Sequence, residues 1–322
     1  MNSYQKLKKK SPAKNDNQRR KIIVVLGPTA SGKSALAVSL AKFIDANRKA
    51  FGTAGAEIIS ADSRQVYKGM DLGTGKITAR EMGGVPHYML DIVSPRKIFT
   101  ASDYQKLAGK IIKNIFDAGK MPLICGGTGF YINALIFGAV FPDVKPNYKL
   151  RRALSKKNAN ELFKMLLKID MKRAGQIDPQ NPVRLIRALE IAKSCGRVPE
   201  LKRQSINADV LFLGIKTDKP QLALKIRARL KRRLRRGMIK EVKGLHGNGL
   251  SWKRMEELGL EYRLVSRYLR GIVSKKEMEE SLAKEIECYA KRQMTWFKKN
   301  KRIIWIENEK EAKTITEKFI QN

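Results

Sequence analysis

The chain has 322 residues, two soft domain equivalents at ~150 residues each, and its 43% hydrophobic content excludes wholesale disorder. No apolar run reaches the roughly 18 residues a membrane helix needs. Sixty-seven Lys+Arg against 30 Asp+Glu leave a net charge of +37; so large an excess repels itself, and it is either relieved by a polyanion such as nucleic acid or carried as a solvated basic surface.

Residues 1–20 read as a disordered basic tail: Lys6, Lys8, Lys9, Lys10, Lys14, Arg19 and Arg20 face one acid, Asp16, with no apolar stretch of a secretory signal. Ile22 to Leu26 is a continuous, β-branched run and predicts a buried parallel strand. A glycine-containing loop, Gly27 to Ser34, leads into a helical pattern from Ala35 to Phe43. Further strands are predicted at Glu57–Ser60, Pro122–Cys125, Val210–Ile215 and Ile303–Ile306, with a helix from Ser102 to Asp117 ended by Gly119.

Strands alternating with helices predict an α/β fold, a parallel sheet flanked by helices. Between about 140 and 205 the alternation fails, leaving helical patterns at Ala159–Ile169 and Val183–Ser194. The segment 140–182 is read as a helical insertion, with ten basic residues from Lys145 to Arg173 against Glu161 and Asp170. The core then comprises 21–139 and 183–310, and 311–322 is a terminal helix or tail. Cys125, Cys195, Cys288, His87 and His246 form neither a disulfide framework nor a zinc site by spacing, which points to a reducing, cytoplasmic setting; the cysteines read as small buried hydrophobes.

Gly27-Pro28-Thr29-Ala30-Ser31-Gly32-Lys33-Ser34 fits G-x-x-x-x-G-K-[ST] at every fixed position, between a strand and a helix. Such a loop turns backbone N–H groups inward around an anion, the helix N-terminus adds partial positive charge, Lys33 adds a full one, and the Ser34 hydroxyl is a ligand for Mg²⁺. The motif specifies a phosphate or diphosphate, not ATP. The strand-end Asp that orients magnesium in nucleotide hydrolases has only a weak counterpart here, in His87-Tyr-Met-Leu-Asp91.

Asp62 follows the second strand, so it belongs to the same crevice beyond the carboxyl ends of the strands. It is either a group that takes a proton or binds metal, or a helix N-cap.

These blocks together resemble the tRNA dimethylallyltransferases, also called tRNA isopentenyltransferases. They are Gly27–Ser34, Ser60-Ala-Asp-Ser-Arg-Gln-Val-Tyr-Lys-Gly-Met-Asp-Leu-Gly-Thr74, His87–Asp91, Gly126-Gly-Thr-Gly-Phe-Tyr131, Asn181-Pro-Val-Arg-Leu-Ile-Arg-Ala-Leu-Glu190 and Ala290-Lys-Arg-Gln-Met-Thr-Trp-Phe297. The resemblance runs from about 22 to 307. It implies a P-loop NTPase-like sheet with an anticodon-gripping helical insertion. It also implies transfer of a dimethylallyl group from dimethylallyl diphosphate to the N6 amine of the adenosine 3′ of the tRNA anticodon, with Mg²⁺ assisting.

By the same resemblance the loop 27–34 holds the allyl diphosphate, Asp62 is the catalytic base or amine-orienting group, and Thr128 lies near the reacting centre. Asp62, Ser63, Arg64 and Gln65, with Thr128, Arg151, Val183, Arg184, Leu185, Ile186 and Arg187, meet the anticodon stem-loop. A diphosphate-binding Arg falls at Arg229, counted back from Gly237-Met238. In this helix the chain departs from the family, with Arg233 for a usual Met and Lys225 for a usual Arg. The family's Gly-Tyr stands as Gly259-Leu260. The working unit is read as a monomer with no membrane partner.

The chemistry suits these residues. Charge builds on the bridging oxygen of the leaving diphosphate, for which loop amides, Lys33 and Arg229 are apt partners. The acceptor amine is a poor nucleophile that must be oriented and lose a proton, and its base must leave the loop stack. Residues Lys225 to Lys243 read as one basic helix with an apolar stripe at Leu222, Ile226, Leu230, Leu234 and Met238. Trp296 and Phe297 either stack on a base or pack in the core. Competing readings are a P-loop isopentenyltransferase or kinase acting on a free nucleotide or other small acceptor, and a nucleic-acid-binding NTPase or structural RNA binder.

Overall fold

The structure, a computed structural model, describes residues 20–139, 141–199 and 204–322. All but the last residue of the basic tail read at 1–20 lies outside them. The described residues form two compact units, one from the chain up to Ile136 and from Ile206 to Asn322, the other Phe137–Ser205.

The first unit is built on a six-stranded parallel sheet of β1 (Lys21–Leu26), β2 (Ala56–Ser60), β3 (His87–Tyr88), β4 (Met121–Gly126), β5 (Asp209–Ile215) and β6 (Ile303–Ile306), in the order β3-β2-β4-β1-β5-β6. β1 is fully flanked, Val24 pairing with Ile124 on one side and Phe212 on the other. Its run of Ile22 to Leu26 is buried on both faces, which is why it carries no polar alternation. Helix Lys33–Ala46 packs Leu36, Leu40 and Ile44 against the sheet, together with the C-terminal helix Glu309–Gln321 through Ala312 and Ile320. The segment 311–322 is therefore helical and part of this core.

A second apolar cluster belongs to the helices after β5. Leu222, Ile226 and Leu230 of Lys219–Arg235 meet Met238 and Val242 of Met238–Gly247, Val265 of Leu260–Leu269, and Leu282 and Ile286 of Lys275–Phe297. The single basic helix expected through Lys243 is thus two helices, separated at Arg236 and Gly237. The buried stripe includes Arg233 in place of Leu234, which is only partly covered.

The second unit has its own core, with Leu154, Leu162, Leu166, Leu185 and Leu189 packed together. Its helices include Tyr148–Leu154, Ala159–Ile169 and Pro182–Cys195. The insertion boundary expected at 182 is corrected to 205: helix Pro182–Cys195 buries its apolar face against Ala159–Ile169, so it belongs to the insertion and not to the returning core.

Candidate active site

The strand order switches direction around β1, and the crevice at the carboxyl ends of its strands is where open α/β sheets bind ligands. A cleft of about 1080 Å³ opens there, within the first unit. Thr29, Ala30, Gly32, Lys33 and Ser34 line it from the loop after β1, and Asp62, Ser63, Arg64 and Gln65 from the turn after β2. Arg229 and Arg233 reach it from helix Lys219–Arg235, and Tyr289, Arg292 and Gln293 from helix Lys275–Phe297.

The loop has the expected phosphate-cradle form. Gly32 has φ +91° at the start of helix Lys33–Ala46, a conformation an L side chain resists, and it aims the free amides of the first turn at the cleft. Gly27 and Pro28 are buried and do not line the cleft, nor does Ser31; they shape the loop. Lys33 Nζ donates to the Pro28 carbonyl at 3.3 Å. Burial pulls its ammonium below the ordinary value, with Arg229 and Arg233 acting the same way against Cys125 and Asp62. Cys125 lies behind the loop, its thiol pushed up to about 11 by burial, and is inert. Cys195 and Cys288 are exposed, contrary to the expectation that all three cysteines are buried.

Asp62 fixes a turn and caps no helix, contrary to the N-cap alternative. Its Oδ1 accepts from the amides of Arg64 at 2.8 Å and Gln65 at 3.3 Å, fixing the turn. Among the described residues Oδ2 has no partner, and the carboxylate faces the cleft. Thr128 does not line the cleft: its Oγ1 accepts from the Ser63 amide at 3.0 Å and so sets the turn that presents Asp62.

Arg229 is distant in sequence but near in space. Its Nη1 donates to Thr29 Oγ1 at 3.4 Å and its Nη2 to the Gly75 carbonyl at 3.1 Å. Among the described residues it has no carboxylate within ion-pair distance. Burial, then the neighbouring Arg233, bring its guanidinium down to about 10, still a cation at neutral pH.

Three supports escaped the sequence reading. Buried Gln293 accepts from the Thr29 amide at 2.9 Å and donates to the Gly127 carbonyl at 2.8 Å, strapping the phosphate loop to the turn after β4. Glu241 accepts from the amides of Asp71, Leu72 and Gly73 and from the Tyr262 hydroxyl at 2.8 Å, holding the 71–75 loop. Glu261 pairs with Arg233 at 2.9 Å. Only the block around Gln293 carried a signal in the sequence, and it did not single that residue out.

Phe297 is core, whereas Trp296 is 37% exposed and meets the 49% exposed Phe130 edge-on, with ring centroids 6.5 Å apart.

In the second unit, Glu190 is 2% exposed and accepts from Arg151 Nε at 2.9 Å and Nη2 at 2.7 Å, from Arg187 Nη1, and from the Asn147 amide at 2.6 Å. Against the burial that opposes it, hydrogen bonds from Arg151, Arg187 and Asn147 bring its carboxyl down to about 2. Arg151 and Arg187 are thus fixed in place and half neutralised. Val183 is 76% exposed and Arg184 is exposed beside it. Leu185 is fully buried and Ile186 is partly buried against the same core, so both side chains help to hold the helix.

Oxygen donors, the Ser34 hydroxyl and the Asp62 carboxylate, line the cleft. Among the described residues no group of three or more His, Cys, Asp or Glu could hold a metal. The set suits a hard cation that takes most of its ligands from a bound diphosphate and water. Among the described residues no helix is long and apolar enough to cross a membrane.

The IPP transferase family pattern matches residues 65–300. The chain is 41% identical over 283 residues to a tRNA dimethylallyltransferase 2 of Treponema denticola, covering 86% of this chain and 91% of that protein. It is 37% identical over 293 residues to a tRNA dimethylallyltransferase of Anoxybacillus flavithermus, covering 89% and 90%. Among solved structures it is similar to a tRNA isopentenylpyrophosphate transferase of Bacillus halodurans, with TM-score 0.68, 33% identity and coverage of 94% and 96%. It is also similar to a eukaryotic dimethylallyltransferase acting on tRNA, with TM-score 0.77, 25% identity and coverage of 94% and 80%.

Proposed function

The chain belongs to the IPP transferase family, and on that premise we propose that the cleft carries out prenyl transfer to tRNA. The enzyme transfers a dimethylallyl group from dimethylallyl diphosphate to the N6 amine of the adenosine 3′ of the anticodon and releases diphosphate. It works in the cytoplasm, with its tRNA substrate.

The observation that carries this reading is convergence. Lys33, Ser34, Asp62 and Arg229 line one cleft, although Arg229 and its partner Thr29 are 200 residues apart in the chain. The first-turn amides, Lys33 and Arg229 surround the position of a diphosphate and stabilise the charge that develops on its bridging oxygen. Ser34 would hold Mg²⁺, which when bound neutralises part of the diphosphate charge. The free Oδ2 of Asp62 orients the acceptor amine and takes its proton as the new C–N bond forms. Gln293 and Thr128 keep the loop and the turn at fixed separation during this step.

An anticodon-loop base is unpaired, so moving it out of its stack costs less than breaking a pair. The half-exposed Phe130–Trp296 pair is a surface on which such a base stacks. In the second unit, Arg151, Arg184 and Arg187 are the phosphate-facing set for the anticodon stem.

The test is single-turnover transfer with labelled dimethylallyl diphosphate and tRNA, AMP or no acceptor, run beside labelled ATP alone. Label is expected in the adenosine of the tRNA alone. Equal transfer to AMP, or phosphate release from ATP in place of prenyl transfer, would overturn the reading.

A further inference from the structure

Two arginines share the cleft wall, one turn apart on helix Lys219–Arg235, and both are largely buried. Their terminal nitrogens meet at Gly75, whose φ is +59°: a Cβ there would lie 1.8 Å from Arg233 Nη2 and 2.1 Å from Arg229 Nη2. Two like charges so close repel strongly when poorly solvated. The two are not equivalent, however. Arg233 Nη1 is 2.9 Å from Glu261 Oε1, and both side chains are shielded from solvent. Among the described residues Arg229 hydrogen-bonds the neutral oxygens of Thr29 and Gly75 and makes no ion pair, although the charges of Glu261, Asp62 and Glu81 reach it.

We infer that Glu261 and Arg233 form an internal charge pair that keeps Arg229 as the unpaired cation of the site. Arg233 and Glu261 are positioning residues; Arg229 is the one that engages the diphosphate. This rests on the diphosphate occupying the cleft, as argued above.

The consequence for a single substitution is specific. Replacing Arg233 by Met removes the partner of Glu261 and leaves a buried carboxylate. The groups facing it are then Arg229 from the same helix, Tyr262 on its own helix, itself bonded to Glu241, and Tyr289 from helix Lys275–Phe297. Of these only Arg229 is a cation, so Glu261 turns its attraction on Arg229 and competes with diphosphate. Burial pushes the Glu261 carboxyl above its ordinary value, opposed by the charges of Arg233 and Arg229.

The experiment measures inorganic diphosphate affinity by calorimetry, in Mg²⁺ buffer at pH 8, for R233M, E261Q and R233M/E261Q, each read as a ratio to the unsubstituted protein. R233M is expected to bind about tenfold or more weakly. R233M/E261Q is expected to bind within about threefold of the unsubstituted protein, a rescue that a purely structural role does not produce. A double variant as weak as R233M would show that Arg233 itself holds the diphosphate, and an R233M affinity equal to the unsubstituted protein would show that the pair has no such role. Either overturns the inference. If R233M does not fold, E261Q alone decides: it frees Arg233 as a second cation, so binding should tighten about threefold or more, and unchanged or weaker binding overturns the inference. K33A and R229A run alongside. If neither weakens diphosphate binding, it is the location of the diphosphate in this cleft that fails, not the pairing.

Discussion

The two units use arginine in opposite ways. In the second unit, Glu190 collects Arg151, Arg187 and the Asn147 amide around one buried carboxylate, so its arginines are held rigid at reduced net charge. In the active cleft, Arg229 lies beside Lys33 and Arg233 with no carboxylate of its own. Leaving a buried cation uncompensated weakens a fold, and such groups are found where a ligand supplies the missing charge. A grip on a polynucleotide needs arginines in fixed positions, each contributing a modest, salt-sensitive contact. Stabilising a leaving diphosphate needs charge that is free until the substrate arrives.

If this contrast is right, the largest effects come from the cleft. Asp62→Asn should lower the single-turnover rate by ~10²–10⁴ while leaving tRNA affinity in filter binding unchanged, as expected of a general base. Arg229→Ala and Lys33→Ala should each cost about 3 kcal/mol in the transition state, on the order of 10²-fold in kcat/KM for dimethylallyl diphosphate. A mild Lys33→Ala would remove the distinction between the two regions.

A smaller effect is expected in the second unit. The Glu190 carboxyl is depressed from about 4.5 to about 2, so it adds stability that is fully present above pH 4.5 and is lost as pH falls toward 2. Arg151 and Arg187 are each about a third exposed, at 35% and 37%, so with screening this is worth about 1–3 kcal/mol. Protection factors of the amides in 141–199, taken against intrinsic exchange at each pH, should fall across that pH window in the unsubstituted protein, and in Glu190→Gln they should already be low at pH 5.

The smallest effect is electrostatic. Arg184→Ala should flatten the log–log salt dependence of tRNA affinity by about 1, without changing which base is modified.

Much of this architecture was legible in the chain because it is local. Five strands fell within a residue or two of their observed bounds, since buried parallel strands are continuous apolar runs. The phosphate loop has a fixed spacing. β3 was not predicted as a strand because two residues carry no periodicity. The insertion boundary was misplaced because an amphipathic helix does not say which core its apolar face joins, and Pro182–Cys195 joined the second. The supports of the site were invisible for the same physical reason. Gln293 meets Thr29 across 264 positions, and Glu241 meets Leu72 across 169. A long-range hydrogen bond leaves no spacing to read. Arg233 was legible only as a charge where the resembled family has a usual Met, and its partner Glu261 explains why it is tolerated there.

The most direct test of the division between reserved and fixed charge is one paired measurement: single-turnover transfer rate at saturating substrates and tRNA dissociation constant, for Arg229→Ala and Arg151→Ala together. Arg229→Ala should lose about 10² in rate with tRNA affinity within about twofold, and Arg151→Ala should weaken tRNA binding with the saturated rate within about twofold. A near-normal rate in Arg229→Ala, or rate and affinity falling together in both variants, would contradict it.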